Sequence, residues 1–187
     1  MIEIVPYRQT WPAEFSSIGA ALREVLGPLA LRIDHIGSTS ILGLPAKDTI
    51  DIQVTVAALE GRVKSALTEA GYLHKEGRTD HRPPGPAGSL NVWEKWLFVS
   101  PPGQRPAHLH IRLRGAPNQR YALLFRDYLR SHPHSAEAYA RLKRCLAESL
   151  ADPKTYSEVK DPAVDLVYLA AEDWAQQIDW RPGTSDA

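Results

Sequence analysis

Apolar and polar residues alternate from position 50 to position 56, and this is the clearest structural signal in the chain. A period of two is typical of a strand that buries one of its faces. A shorter apolar run at 33–36 predicts a second strand, and a glycine followed by three hydroxyl residues comes directly after it. The sequence therefore places a hydroxyl-rich turn at the end of one strand and Asp51 close to the start of the next.

Four other stretches predict extended structure, and one predicts a loop. Residues 2–5 indicate an edge strand or an ordered arm, and residues 72–75 a short strand. Residues 90–99 are strand-like, and residues 107–114 alternate as regularly as the central stretch. Residues 77–88 are rich in proline, glycine and charge, which favours a loop.

Helical periodicity dominates the final third of the chain and also appears near its start. The first helix is predicted to begin at Thr10, whose hydroxyl is a suitable cap, and a second helix is predicted at 57–70. In the final third, Ser135 is the predicted cap of one helix. Asp161 and the proline that follows it are the predicted start of the last helix.

The order of the elements divides the chain into three parts. A mixed α/β part is predicted at 1–115, a helical part at 116–180 and a loose tail at 181–187. No linker separates the first two parts, so we expect them to form one compact unit. A chain of 187 residues is long enough to bury a substantial core.

The charge balance argues against two classes of partner. The 22 basic and 22 acidic residues give a formal net charge of zero and a pI near 7.1. Bulk binding to nucleic acid or to a membrane is therefore not expected. The single cysteine, Cys145, cannot form an internal disulfide, and the sequence has neither a signal peptide nor an apolar run of about 18 residues. These features predict a cytoplasmic protein.

The hydroxyl-rich turn and Asp51 are the first candidates for chemistry. Gly37 lets the backbone approach a phosphate closely, and Ser38 can donate a hydrogen bond to it, although Gly-Ser pairs are also common in plain turns. A carboxylate beside a phosphate-binding loop is a usual ligand for Mg²⁺. The alternative for Asp51 is an exposed strand residue or one that hydrogen-bonds the preceding turn.

Several blocks of the sequence together resemble one known family. The stretch HIGSTS…GLPAKDTIDIQV is similar to the signature of the GrpB family. Other blocks match in order: VPYRQTWPAEF, HLHI, FRDYLRSHP, AYARLKRCLA and an element from Tyr156 to Lys160. The resemblance covers most of the chain, and the ordered set is far more specific than any single block. It implies an α/β (α+β) fold, with a nucleotidyltransferase-like mixed sheet, flanking helices and a C-terminal helical bundle.

The resemblance also implies a pattern of acidic residues. The nucleotidyltransferase pattern has a Gly-Ser turn, two carboxylates at positions i and i+2 of the next strand, and a third on a later strand. Asp51 meets the first acidic position, but Gln53 stands at the second, and the later strand offers His108 and His110. An amide oxygen can ligate Mg²⁺, but it adds no negative charge to the site.

Three interpretations of this site stay open. In the first, one Mg²⁺ or Mn²⁺ binds at Asp51, helped by Gln53, with His108 or His110 as general base. In the second, Asp51 and the two histidines bind a transition metal, which imidazoles prefer. In the third, the site binds a nucleotide without reacting it. Histidines at i and i+2 of a strand share one face, which suits a common site, although that face can also be solvent.

Basic residues complete the predicted site. Lys47 precedes the Asp51 strand, and Arg126 and Arg130 share a helix face. With Lys143 and Lys160, the two arginines form either a wall for a triphosphate or salt bridges with neighbours such as Asp127. The residues predicted to bind phosphate are Gly37, Ser38, Thr39, Ser40, Lys47, Arg126 and Lys143.

The predicted function is that of a nucleotide-dependent transferase. It would bind a nucleoside triphosphate with a divalent metal and act on a small-molecule acceptor. The alternatives are a nucleotide-binding module without catalysis and a metal-dependent enzyme that uses the histidine pair.

Five aromatic residues and one histidine could each belong to the core or to the site. We expect the aromatic residues of the sheet and of the C-terminal helices in the core rather than as base-stacking platforms, and His35 suits either a core or a site position. The aromatic residues concerned are Trp93, Trp96, Tyr121, Tyr128 and Tyr139.

Overall fold

The structure is a computed structural model, and it describes residues 2–77, 79–84, 93–150 and 152–187. Its centre is a five-stranded mixed sheet with the strand order β1-β2-β5-β4-β3. The strands are β1 (Arg32–Ile36), β2 (Ile50–Val56), β3 (Leu73–His74), β4 (Lys95–Val99) and β5 (Ala107–Leu113). The helices are α1 (Trp11–Leu26), α2 (Gly61–Glu69), α3 (Pro117–Ser131), α4 (Pro133–Ser149) and α5 (Pro153–Gln177). The β2–β5 pair is parallel, and the other pairs are antiparallel.

One face of the sheet is apolar and packs on α1 and α2. The alternation in β2 directs its isoleucine and valine side chains to this face, where all four are fully buried. They form a single core with apolar residues of both helices, including Phe15, Leu22 and Leu67. This burial stabilises the α/β part and fixes the register of β2, because a slip by one residue would turn the polar side chains inward.

The other face of the sheet is polar and is covered by the three C-terminal helices. The parallel register of β2 and β5 places Asp51 beside His108, Gln53 beside His110, and Thr55 beside Arg112. Gln53 and Thr55 are fully buried, and Arg112 is nearly so. A buried polar layer must satisfy its hydrogen bonds internally, so this face is where specific side-chain contacts are concentrated.

A second apolar core holds the C-terminal helices together and ties them to the loop after β1. It combines residues of α3, α4 and α5 with Ile41 and Leu44 of that loop. The mixed sheet with flanking helices and a C-terminal helical bundle is thereby confirmed. Within the described part of the chain, no helix combines the length and apolarity that crossing a membrane requires.

Two predicted helix starts are wrong. Ser135 lies inside α4, which begins two residues earlier, and Asp161 and Pro162 lie inside α5. The true start of α5 is an earlier Asp-Pro pair, where the Asp152 carboxylate accepts a hydrogen bond from the backbone N–H of Thr155 at 2.7 Å. Both Asp-Pro pairs have the composition of a helix start, and only the first has the capping geometry.

The N-terminal segment is an ordered arm rather than a regular strand. Val5 forms an isolated antiparallel bridge with Ala46, with N–O distances of 2.9 and 3.0 Å. Thr10 precedes α1 as predicted, but its hydroxyl makes no capping hydrogen bond. The arm therefore pairs with the loop that enters β2 and lies close to the start of that strand.

Two other predicted elements are shorter in the structure. The helix predicted at 57–70 is confirmed only over α2, and the strand predicted at 90–99 is seen as β4. The first residues of that predicted strand, and part of the loop predicted at 77–88, lie outside the described residues.

The tail predicted to be loose is hydrogen-bonded along β1. The backbone N–H groups of Asp186 and Ala187 each donate to the Ile33 carbonyl at 3.1 Å. The Ile33 N–H donates to the Ser185 hydroxyl at 2.8 Å, and the His35 N–H donates to the Asp186 carboxylate at 2.9 Å. Because β1 is an edge strand, its unpaired backbone groups provide partners that the composition of the tail does not reveal.

Candidate functional site

Gly37 brings the backbone of the hydroxyl-rich turn against Asp51. Its φ of +67° lies in the region that favours glycine, and a Cβ atom at this position would lie 2.5 Å from Oδ2 of Asp51. Residues Ser38–Ser40 then form a short 3-10 turn. Both the backbone conformation and the close approach therefore require glycine here.

Asp51 lies between the two histidines predicted to join it. Its Oδ1 atom is 3.3 Å from Nδ1 of His108 and 3.7 Å from Nε2 of His110. One ligand atom from each of the three residues falls within 4.8 Å of the others. The parallel register of β2 and β5 produces this convergence, because it places three side chains of the same face side by side.

The electrostatics of this group keep Asp51 ionised and His110 neutral at neutral pH. Burial raises the pKa of Asp51, but the hydrogen bonds of the two imidazoles outweigh burial and hold this pKa below its usual range. Burial lowers the pKa of His110 to about 4, and the neighbouring cations Arg112 and Lys95 act in the same direction.

The two histidines present opposite ring nitrogens to Asp51. Nζ of Lys95 lies 3.4 Å from Nδ1 of His110, and an ammonium can only donate, so Nδ1 accepts and Nε2 carries the hydrogen towards Asp51. His108 instead turns Nδ1 towards the carboxylate at 3.3 Å, which favours the tautomer with hydrogen on Nδ1 and an accepting Nε2. His110 is thus arranged as a donor and His108 as a base.

Lysine side chains face Asp51 across a cleft of about 140 Å³. Lys143 is buried, and its Nζ donates to Oγ of Ser38 at 2.9 Å and to the Pro45 carbonyl. Burial lowers the pKa of Lys143 to about 7, with Lys160 acting in the same direction. The cleft is lined by Ile4, Ser38, Thr39, Ala46, Lys47, Thr49, Asp51, His108, Tyr139, Lys143, Tyr156, Ser157 and Lys160.

Tyr156 lines this cleft, although it was not among the predicted site residues. Nζ of Lys47 lies 4.5 Å above the centre of its ring, a cation–π contact that orients the lysine. Tyr156 and Lys160 are one turn apart on α5, so both can face the cleft. The spacing between Tyr156 and Lys160 was the signal in the sequence that could have placed Tyr156 at the site.

Some predicted phosphate-binding residues lie elsewhere. Arg126 is buried beneath the tail and donates to Asp127 and Asp186 at 2.7 Å each, so it does not reach the cleft. The salt bridge with Asp127, which was the alternative, is what the structure contains. Ser40 donates its hydroxyl to the Gly37 carbonyl at 2.6 Å and lines a separate groove of about 590 Å³ on the far side of the turn.

His35 takes the core position rather than the site position. Its ring stacks on Phe15, with the ring centres 4.6 Å apart, and its Nε2 shares a 3.0 Å hydrogen bond with the Thr39 hydroxyl. Burial lowers the pKa of His35 to about 4. Thr39 lines the cleft, but its hydroxyl is occupied by this internal bond.

Gln53 does not offer its oxygen to a metal. Oε1 accepts a 2.7 Å hydrogen bond from Arg112, and Nε2 donates to the Gln119 carbonyl at 3.2 Å. A second divalent cation at this position would meet a guanidinium charge at short range. The carboxylate and two imidazoles at Asp51 therefore fit one cation, and the residues present do not fit two.

A second carboxylate, Asp80, lies on the same polar face and is fully paired. It accepts hydrogen bonds from Arg112 at 2.9 Å, from Asn118 at 3.0 Å and from Lys95. Lys95 thus connects Asp80 to His110, and Arg112 connects Asp80 to Gln53. This network fixes the side chains that stand behind Asp51.

The fold and the site together define a mixed α/β protein with a basic cleft and a carboxylate–imidazole cluster at one wall. The chain belongs to the GrpB protein family, whose match spans residues 1–169. The family inferred from the ordered motifs is thereby confirmed.

The chain is also similar to individual proteins and solved structures. A protein of Mycobacterium tuberculosis H37Rv named dephospho-CoA kinase is 37% identical over 201 residues, covering 96% of this chain and 48% of that protein. The chain thus spans about half the length of this curated relative. The crystal structure of GrpB from Enterococcus faecalis has a TM-score of 0.74 and 27% identity, covering 92% of this chain and 99% of that one. A weaker likeness, with a TM-score of 0.49 and 16% identity, extends to a cytoplasmic RNA terminal U-transferase and covers 74% of this chain and 41% of that one.

Proposed function

We propose that the cleft binds the phosphates of a nucleoside triphosphate with one divalent cation, Mg²⁺ or Mn²⁺, and transfers a nucleotidyl or phosphate-containing group to a small acceptor. One observation carries this proposal. Asp51 and His108, with His110 beside them, form one wall of a cleft whose lining also includes Lys47, Lys143 and Lys160. A carboxylate opposite several lysines suits a polyphosphate with a bound cation better than it suits either ion alone.

Each wall has a distinct role in this proposal. Ser38 and the lysines would contact phosphate oxygens, and Asp51 would hold the cation. His110 would join as a further ligand only if Lys95 turned away from its Nδ1 atom, because that contact places hydrogen on Nε2. Once bound, the cation would withdraw charge from the phosphate oxygens and make the phosphorus easier to attack.

The acceptor would be activated by His108. Its Nε2 atom is free to take the proton of an acceptor hydroxyl, because Nδ1 faces Asp51. The acceptor oxygen then forms a bond to the α-phosphorus, the bond from that phosphorus to the bridging oxygen breaks, and pyrophosphate leaves. His110 stays neutral and directs its Nε2 hydrogen towards Asp51, which keeps the carboxylate oriented.

A second candidate function is binding of a nucleotide without reaction. The hydrogen bond between Gln53 and Arg112 favours it, because this bond occupies the position where the family resemblance leads us to expect a second carboxylate. Binding needs only the lysines, the turn and one cation. Such a module would sense or carry the nucleotide.

Calorimetric titration with ATP, with and without Mg²⁺ or Mn²⁺, tests both candidates. The transferase requires metal-dependent ATP binding and slow release of pyrophosphate when candidate small acceptors are supplied, whereas the module requires binding alone. Asp51→Asn should abolish the metal dependence, and Asp179→Asn, on the exposed surface, is the matched control. Tight binding of Zn²⁺ or Ni²⁺ without ATP affinity would contradict both and favour a histidine-based metal enzyme.

A further inference from the structure

A second cavity of about 170 Å³ adjoins the cleft. Lys160 lines both cavities, so its side chain stands between them. The walls of the second cavity include the rings of Trp93 and Tyr121 and the guanidinium group of Arg112, all of which are planar. Flat aromatic and guanidinium groups are the surfaces on which heterocyclic rings stack.

Two buried polar atoms in these walls have no hydrogen-bond partner among the described residues. They are Oδ1 of Asn118 and the hydroxyl oxygen of Tyr121. The orientation of the Asn118 amide is fixed, because Nδ2 is the atom that donates to Asp80 at 3.0 Å and to the Trp93 carbonyl at 3.1 Å. Its unpartnered atom is therefore an acceptor, and it lacks a donor.

Unpartnered buried polar atoms are rare in folded proteins and call for an explanation. Oγ1 of Thr55, on the same face of the sheet, also has no partner, whereas the donors of Asn118 and the carboxylate of Asp80 are all satisfied. Of the four unpartnered buried side-chain atoms among the described residues, two lie in the walls of the cavity next to the cleft. A ligand group that donates a hydrogen would satisfy them.

We propose that this second cavity is the subsite for the heterocyclic ring of a ligand whose phosphates occupy the cleft. The ring is planar and carries an amino group. This amino group donates a hydrogen bond to Oδ1 of Asn118, and the Tyr121 hydroxyl makes a second contact with it. This inference rests on the proposed nucleotide-binding function. It identifies nucleotides whose base carries an exocyclic amine, such as adenine nucleotides, as the ligand class.

The test compares three probes in the presence of Mg²⁺: tripolyphosphate, ATP, and the purine nucleoside triphosphate that lacks the amino group. For the wild-type protein, ATP should bind about tenfold more tightly than tripolyphosphate, and the amino-free analogue should fall between them. Tyr121→Phe should weaken ATP about fivefold and leave tripolyphosphate unchanged. Tyr128→Phe, whose hydroxyl lies in the second core and 3.5 Å from the Ser135 hydroxyl, is the matched control.

A second variant, Val164→Trp, fills the cavity from α5 and should reduce ATP affinity to that of tripolyphosphate. If tripolyphosphate binds and ATP binds no more tightly, the ring subsite is overturned and the phosphate-binding cleft is retained. The same conclusion follows if Tyr121→Phe and Val164→Trp both leave the higher affinity for ATP unchanged. If neither probe binds the wild-type protein, both the subsite and the proposed function fail.

Discussion

Asp51 and Asp80 lie on the same face of one sheet, and their surroundings differ in every respect that matters for chemistry. Asp80 is nearly buried and is held by Arg112, Lys95 and Asn118 in short hydrogen bonds. Asp51 is 31% exposed, and its nearest partners are imidazole nitrogens at 3.3 and 3.7 Å. Asp80 is fully engaged in structural hydrogen bonds, and Asp51 remains available to a ligand.

The pKa values show how the same result arises from different causes. Burial raises the pKa of Asp80, but the charges of Arg112 and Lys95 outweigh burial and hold it far below its usual range. The pKa of Asp51 is low as well, yet its partners are neutral or weakly basic rings. A low pKa alone therefore does not identify a functional carboxylate, and the nature of its partners does.

The largest expected effect is on stability, at Asp80. Asp80→Asn leaves Arg112 and Lys95 buried without a counter-charge, and the free energy of unfolding should fall by about 3 kcal/mol. Asp51→Asn should change it by less than about 1 kcal/mol, because its partners are loose and the site is half open. Urea denaturation of both variants measures the difference. Equal losses would show that the two carboxylates play the same role.

Gly37→Ala should have the next largest effect and act on the open carboxylate alone. A methyl group at a φ of +67° is strained, and it would meet Oδ2 of Asp51. We expect a loss of about 2 kcal/mol in stability. ATP binding should be lost with it.

Gly103→Ala is the control for that variant, because it has a φ of +79° with nothing within 4 Å of the added methyl group. It reports the backbone strain without the clash. If Gly103→Ala costs as much stability, the contact with Asp51 contributes nothing.

Lys95→Met tests the link between the two carboxylates. Without the ammonium, Nδ1 of His110 can carry the hydrogen, and Nε2 becomes a metal ligand beside Asp51. Affinity for Ni²⁺ or Zn²⁺ should then rise about tenfold by calorimetry. The double variant Lys95→Met with His110→Asn should lose this gain, and an unchanged affinity in the single variant would show that Lys95 does not set the tautomer.

The smallest expected effect is a dependence on pH at the lysine that faces Asp51. Burial lowers the pKa of Lys143 to about 7, so the ammonium is charged below pH 7 and neutral above it. Tripolyphosphate affinity should therefore fall about threefold between pH 6 and pH 8. In the same range stability should rise with pH, because the unfolded chain keeps the proton that the folded chain releases. Lys143→Met should remove both trends, and their persistence would assign them to another group.

The parts of the site that could be predicted are those that depend on local pattern. The alternation in β2 fixes the face of Asp51, and the same alternation in β5 fixes the face of the histidines, so their convergence needs only that the strands be neighbours. Partners that are distant in sequence could not be predicted. Arg126 was expected at the phosphates because nothing local shows that Asp186 lies beside it. The role of Asp80 was hidden because it occurs in a stretch with the composition of a solvent-exposed loop.

The hydrogen bond between Gln53 and Arg112 has a consequence for any attempt to redesign this protein. Gln53→Glu would restore the acidic pattern on paper, but the new carboxylate would pair with the guanidinium 2.7 Å away rather than recruit a cation. Removing Arg112 as well would strip Asp80 of its strongest partner. Conversion to a two-cation catalyst would therefore require coordinated changes at Gln53, Arg112 and Asp80.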